Sequence, residues 1–253
     1  MTSAEGHGGS TSRPAALVTG ASSGLGRAIA MDLARRGYSV TIVSRSPEKL
    51  ATAADDIARA GGDGPVCHTV AGDLRDEDAS TSVVASHSRQ FGRLDVLVNS
   101  AGVGIRQPIE DIQTKHLDLQ VTVNIRGTIL VCREAAGLLR ATAREHGVAT
   151  CINLASVVGK QGAPGYAAYS ASKAAVLAFT EAMNRELGAD GVRCTAVCPS
   201  LVATPMTAGL QVDPATLISE ADVVAAVNMA ISLSPACVVP EVVLTGLGGA
   251  LEV

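Results

Sequence analysis

Short apolar runs alternate along this chain with longer segments in which apolar residues recur at i, i+3 and i+4, and that alternation restricts the fold more than any other feature. Runs of the first kind at 15–19, 40–44, 66–70, 94–98, 151–155, 192–198 and 242–245 predict seven strands. Segments of the second kind, rich in Ala and Leu, lie at 24–36, 47–60, 77–91, 115–145, 166–187 and 221–233 and predict helices with one apolar stripe each. Strands joined by crossover helices pair in parallel with right-handed connections, and strands covered on both faces read as nearly continuous apolar runs. The expected class is α/β: a single doubly wound parallel sheet of seven strands with helices on both faces. No linker or repeat interrupts the pattern from Pro14 onward, so 14–253 is expected to form one domain. Residues 1–13, rich in Gly, Ser and Thr, are expected to be a disordered tail, having no apolar area to bury.

Composition narrows the function classes. With 47% hydrophobic residues, 17% charged residues and a net charge of -4, the chain is neither disordered nor suited to nucleic acid. Aromatic stacking platforms are missing too, since there is no Trp and only two Phe and three Tyr. No apolar stretch reaches the roughly 18–20 residues of a membrane span, and the first residues lack a basic start followed by an apolar run. No membrane partner and a cytoplasmic location are therefore expected. Six cysteines occur without a CxxC pair or a histidine at ligand spacing, which predicts reduced packing residues and no metal. His68, His87, His116 and His146 are expected at the surface, and Asp55 and Asp56 on a solvated helix face.

The first strand leads directly into Thr19-Gly20-Ala21-Ser22-Ser23-Gly24-Leu25-Gly26, after which a helix begins. Gly20 permits a tight turn, Gly24 lets a pyrophosphate reach the backbone, and Gly26 allows the helix to pack closely. Free N–H groups at the helix start attract negative charge. The loop, with Ser22, Ser23 and Leu25, is assigned to a dinucleotide; the plainer reading is a strand-to-helix turn using Gly for positive φ. At the end of the second strand stands Ser44-Arg45-Ser46, with no carboxylate before Glu48. An acid there would repel a 2′-phosphate, whereas an arginine fork binds one, so NADP(H) is expected in preference to NAD(H). Otherwise Arg45 is a solvated surface residue. Asp73 and Leu74 follow the third strand, where the carboxylate can accept from an adenine amino group or cap the next helix. Asn99, Ala101 and Gly102 follow the fourth strand, with the Asn99 amide holding that edge beside the cofactor or stabilising the turn.

A second group of residues carries chemistry. In Tyr169-Ser170-Ala171-Ser172-Lys173 the first and last residues share one helix face, which brings an ammonium near a phenol. A nearby cation favours phenolate, lowering a reference pKa of about 10. Such a phenol can give a proton to a carbonyl oxygen or take it back. Ser156 closes the fifth strand, at the same sheet edge, where its hydroxyl can orient a carbonyl and stabilise oxyanion charge. Asn124 sits inside the long helix after the fourth strand, where its side chain can hold a water linked to Lys173. Taken singly, Ser156 reads as a cap and Asn124 as part of a polar face.

These motifs together resemble the short-chain dehydrogenase/reductase family from Pro14 to about Thr245: TGASSGLG at 19–26, NSAG at 99–102, Asn124, Ser156 and YSASK at 169–173. The resemblance implies a Rossmann fold with strand order 3-2-1-4-5-6-7 and a tetrad of Asn124, Ser156, Tyr169 and Lys173. Tyr169 would be the general acid or base, Lys173 would bind the nicotinamide ribose, and Asn124 would place the relay water. It also implies that Pro199 borders the cofactor, that the Val202 backbone and Thr204 contact the carboxamide, and that two long helices pair copies into a dimer or tetramer. Departures are Ser100 for the family's second Asn, Ser200 for its usual Gly, a short lid over 205–219, and an ending with Pro235 and then Glu241-Val242-Val243-Leu244. The pocket mouth is expected from Val103, Ile105, Val157, Val158, Gln161, Pro164, Met206 and Leu210, which suits an apolar ketone, aldehyde or 3-oxoacyl group. The alternatives are an inactive dinucleotide sensor or scaffold, disfavoured by the complete tetrad, and a sugar-nucleotide epimerase or dehydratase, which needs a larger substrate domain.

Overall fold

Leu17 lies in the middle of β1 (Ala15–Thr19), a strand in which every residue is buried, because both faces of the sheet it centres are covered. The computed structural model describes residues 13–209, 213 and 216–247, so nearly all of the expected tail, Leu210 and 248–253 lie outside the described residues. Around β1 stand β2 (Ser39–Ser44), β3 (Cys67–Ala71), β4 (Val96–Asn99), β5 (Ala149–Leu154), β6 (Val192–Pro199) and β7 (Glu241–Leu244). All pairs are parallel, in the order β3-β2-β1-β4-β5-β6-β7. Strand order reverses between β1 and β4, and the register aligns Thr19 with Asn99 and Asn99 with Asn153. Three carboxyl ends therefore finish level, beside a crevice at the switch point.

The two faces are separate cores. Ala16 and Val18 pack with α1 (Gly24–Arg35), α2 (Pro47–Gly61) and α7 (Glu220–Ser232) through Ile29, Leu33, Leu50, Ile57 and Val227. Leu17 faces the other way, toward α3 (Glu77–Phe91), α5 (Thr128–His146) and α6 (Ala167–Leu187), through Val83, Val131, Leu139 and Leu187. Each such side chain contributes about 1.5–3 kcal/mol on burial. Helix starts carry their expected chemistry: Ser46 caps α2 ahead of Pro47, Asp76 caps α3, and Ser219 with Asp222 forms a capping box on α7. Arg193, buried on β6, donates to the carbonyls of Ile231, Leu233, Ser234 and Cys237, so the end of α7 and the turn after it neutralise a charge the sheet would otherwise strand. Among the described residues no helix is long and apolar enough to cross a membrane.

Several expectations change. The helix expected over 115–145 is α4 (Thr114–Gln120), a π-type turn Val121–Gly127, and then α5. That widened turn swings Asn124 inward, and Gly127 lies so close to the backbone after β3 that a Cβ there would sit 3.0 Å from the Leu74 carbonyl oxygen. Asp73 does not cap α3; Asp76 does. Asp56 is mostly covered and pairs with Arg27 of α1 and Arg59, while Asp55 is exposed as expected. Cys132, Cys151, Cys194 and Cys198 are buried free thiols and Cys67 is partly buried, but Cys237 is exposed and is no packing residue.

His87 is fully buried instead of at the surface. Its Nε2 lies 2.9 Å from the Arg93 carbonyl and must donate there, so Nδ1 accepts from the Thr41 hydroxyl at 2.7 Å. Burial pushes its pKa down from 6.5 to about 4. The unfolded chain takes up a proton below about pH 6.5 and the folded one only near 4, so stability is intact at pH 7 and is lost as pH falls between those values. His68, also shifted down by burial, adds in the same direction. Thermal unfolding between pH 7 and pH 4.5 is expected to show a loss of up to about 3 kcal/mol. His87→Gln should flatten that slope; an unchanged slope would contradict the assignment.

Candidate active site

A cavity of about 810 Å³ opens at the carboxyl edge of the sheet, over the ends of β1, β4, β5 and β6. Its wall includes Gly20, Ser22, Ser23, Gly24, Leu25, Gly26, Ser44, Arg45, Asp73, Leu74, Ala101, Gly102, Pro199, Val202 and Thr204, with Ser156, Tyr169 and Lys173. Asn99 and Asn124 are not part of it. The Asn99 amide turns into the core and donates to Asn153 Oδ1 at 2.8 Å and to Cys132 Sγ at 3.1 Å, so it fixes neighbouring strands from behind the crevice.

At one end the chain approaches itself too closely for side chains. Gly20 has φ +65, and a Cβ there would lie 2.7 Å from Ala101 Cα; one on Gly26 would lie 2.6 Å from the Gly20 carbonyl oxygen. Thr19 Oγ1 fixes the facing loop by accepting from the N–H groups of Ser100 and Ala101 at 3.1 and 3.2 Å. Unlike α2, α3 and α7, α1 has no side-chain cap: Ser23 stands at its N-cap unbonded, and its first turn holds no acidic residue. Amide donors are thus left facing a glycine-lined hollow, a fit for a pyrophosphate. Arg45 is exposed on the cavity wall beyond β2. Asp73, expected to accept from an adenine amino group or to cap α3, is bound by Arg75, which donates to both of its carboxylate oxygens. That guanidinium, helped by Arg45, holds the carboxyl below the usual range.

At the other end, α6 carries Tyr169 and Lys173 over the end of β5. Lys173, 5% exposed, donates to the Leu154 carbonyl at 2.7 Å, with its nitrogen 5.8 Å from the Tyr169 ring centre. Burial pushes Lys173 down to about 8 and raises Tyr169 to about 12, with the neighbouring Ser156 hydroxyl pulling the phenol the other way. The expected lowering of the phenol by Lys173 is therefore not found in this state: burial dominates, and the group that opposes it is the Ser156 hydroxyl. Ser156 Oγ also accepts from Val158 N at 3.4 Å and donates to the Pro199 carbonyl at 3.3 Å, which ties β5 to the end of β6.

Asn124 takes a role the sequence did not suggest. Its Oδ1 accepts from Val103 N at 2.8 Å, and its amide donates to Val103 O and Ser172 Oγ at 2.9 Å each. Both amide protons are spent, so the side chain braces the loop after β4 against α6. Of the expected mouth, Val103, Val157, Val158 and Met206 line the cavity, whereas Ile105, Gln161 and Pro164 do not. Sequence reading missed Arg75, Arg106 and Tyr166 on the wall. Tyr166 had a signal, since i and i+3 share a helix face with Tyr169; the two rings meet edge-on, 6.2 Å apart.

A family model described as short chain dehydrogenase matches residues 14–215, and the chain belongs to the short-chain dehydrogenase/reductase family. It is an oxidoreductase of that family, whose members bind a nicotinamide dinucleotide. It is 34% identical over 205 residues to a 3beta-hydroxysteroid dehydrogenase of Mediterraneibacter gnavus, covering 81% of this chain and 71% of that protein. Among solved structures it resembles an actinorhodin polyketide ketoreductase with NADPH, at 30% identity and a TM-score of 0.81, covering 94% of this chain and 97% of the other. It also resembles a 3-ketoacyl-(acyl-carrier-protein) reductase from Brucella melitensis complexed with NADH, at 28% identity and a TM-score of 0.83, covering 91% and 95%.

Asn124→Leu removes three hydrogen bonds and strands the Val103 backbone. It is expected to lower stability by about 2–4 kcal/mol, read as a shifted urea midpoint at constant slope. A shift below about 0.5 kcal/mol would contradict the bracing role.

Proposed function

We propose that the cavity reduces a ketone, aldehyde or 3-oxoacyl group with NADP(H), Tyr169 giving the proton. The observation that carries this reading is the convergence of the Tyr169 phenol, the Ser156 hydroxyl and the buried Lys173 on the cavity that also receives the uncapped start of α1. The dinucleotide supplies the hydride when bound. Ser22, Ser23, Gly24, Leu25 and Gly26 hold its pyrophosphate, and Asp73 and Leu74 border its adenine. Ala101, Gly102, Pro199, Val202 and Thr204 flank the remainder, with Gly20 giving the turn and Asn99 stiffening the strand edge.

Cofactor choice rests on Arg45 and Ser44. Asp73, the carboxylate on the cavity wall that faces Arg45, is neutralised by Arg75 and so does not repel a 2′-phosphate there. The neighbours include complexes with NADPH and with NADH, and the preference for NADP(H) is drawn from these side chains alone.

A phenol near 12 is fully protonated at neutral pH, which equips Tyr169 as an acid for the direction of carbonyl reduction. Ser156 donates to the carbonyl oxygen and orients it. Lys173, still mostly ammonium at pH 7, stabilises the phenolate left after transfer, and Asn124 positions α6. We extend the reading to 14–253 working as one cytoplasmic domain and as a homo-oligomer, dimer or tetramer, in keeping with the family.

Arg45→Ala is expected to raise the Michaelis constant for NADPH about tenfold while sparing NADH, the loss of one charge-assisted hydrogen bond. Equal effects on both cofactors would remove the assignment. Tyr169→Phe is expected to lose at least about 100-fold in turnover with NADPH binding kept, as judged by nucleotide fluorescence. In the unsubstituted enzyme, turnover should hold to about pH 8 and then fall as Lys173 loses its charge. Near-normal turnover of the Tyr169 variant would refute the mechanism.

A further inference from the structure

Three arginines face the cavity: Arg45, Arg75 and Arg106. Arg75 is matched by Asp73, and Arg45 stands at the corner read above as the site of a 2′-phosphate. Arg106 stands elsewhere, on the loop after β4 and near the phenol. Among the described residues it has no hydrogen bond or ion pair, only its guanidinium lying over the Tyr166 ring, 6.0 Å from the centroid.

That position is built. Gln107 N donates to the Gly165 carbonyl at 2.7 Å, and Ile105 N donates to Gln120 Oε1 at 3.1 Å, so the residues on both sides of Arg106 are held. Gly165, at φ +77, leaves the arginine its place: a Cβ there would lie 3.2 Å from both Arg106 Cγ and Nε. Tyr166 in turn meets the ring of Tyr169, and Gly104, two residues before Arg106, lies against that same ring. An unmatched planar cation, exposed on the cavity wall, thus stands two ring contacts from the reacting phenol, on the side of the cavity that the dinucleotide reading leaves to the substrate. The cavity's carboxylates are Asp73, already bound, and Asp213 on the segment after β6.

Resting on the carbonyl-reductase reading, we propose that Arg106 binds an anionic group on the substrate, so that the physiological carbonyl compound carries a carboxylate or phosphate at its far end. The guanidinium fork takes two oxygens of either anion, and Tyr166 holds its plane. The purely apolar substrate suggested by the valines and Met206 is thereby replaced by one with an apolar middle and a charged end.

The test uses levulinate, its methyl ester and the matching keto-alkyl phosphate with the full chain. Binding is measured by calorimetry in the presence of NADP+, and reduction is followed with NADPH. At least one anion is expected to bind about tenfold or more tighter than the ester, and Arg106→Gln to erase that ratio while Arg106→Lys keeps part of it. Whether levulinate or the phosphate gains more identifies the anion. Equal binding of ester and anions, equal loss of all three in Arg106→Gln, or no binding of any overturns the proposal. Reduction of the ester without anion preference overturns it and leaves the reductase reading standing. Binding that depends on Arg106 with no reduction of any compound supports it and removes the reductase reading.

Discussion

A hydrogen bond from the Lys173 ammonium to the carbonyl of Leu154, 2.7 Å long and almost fully buried, joins α6 to the end of β5, and the site depends on it. Leu154 closes β5 and Ser156 follows two residues later; Tyr169 lies one turn before Lys173 on the same helix face. One bond therefore sets the phenol beside the serine. The turn Val157–Gly159 lets the helix come this close, for a Cβ on Gly159 would lie 2.7 Å from the Lys173 carbonyl carbon. The same burial has an electrostatic cost, which appears as an ammonium drawn down to about 8 and a phenol raised to about 12. Both shifts keep the site poised to give a proton at neutral pH.

Buried and half-buried charge away from the cavity is settled within the fold. Arg193 is answered by the carbonyls at the end of α7, and Asp56 by two arginines. His87 stays neutral between Thr41 and the Arg93 carbonyl. Arg45 and Arg106 meet no carboxylate among the described residues, and they border the same hollow toward different ends. A ligand with anionic groups at both ends of its bound state, a dinucleotide phosphate at one and a substrate anion at the other, matches that field better than a neutral guest.

Much of this was legible in the sequence because hydrophobic period and strand-end position are local properties. The seven apolar runs became the seven strands, and most residues placed at their carboxyl ends line one cavity, with Asn99 turned into the core instead. Boundaries slipped where an apolar residue is buried outside the ladder: Leu94 read as strand, but its N–H bonds the Thr142 hydroxyl and β4 begins at Val96. The π-type turn was hidden because one extra residue per turn leaves composition unchanged while redirecting Asn124. His87 had a signal in its i+4 spacing from buried Val83, on the inner stripe of α3, and a polar residue there was read as solvated. The Tyr169 shift was misjudged because spacing reports that a cation is near and not how dry the pair becomes. Arg75 and Arg106 were missed because loops carry no period, and their importance comes from which carboxylates do or do not reach them.

The most direct test of the account follows one atom. NADPH deuterated at both transferable positions of its nicotinamide is incubated with the protein and a carbonyl compound that it reduces, and the alcohol is examined by mass spectrometry. The expected result is one deuterium on the carbinol carbon, with the hydroxyl proton drawn from solvent. Alcohol without the label, or no alcohol from any ketone, aldehyde or 3-oxoacyl compound offered, would contradict it.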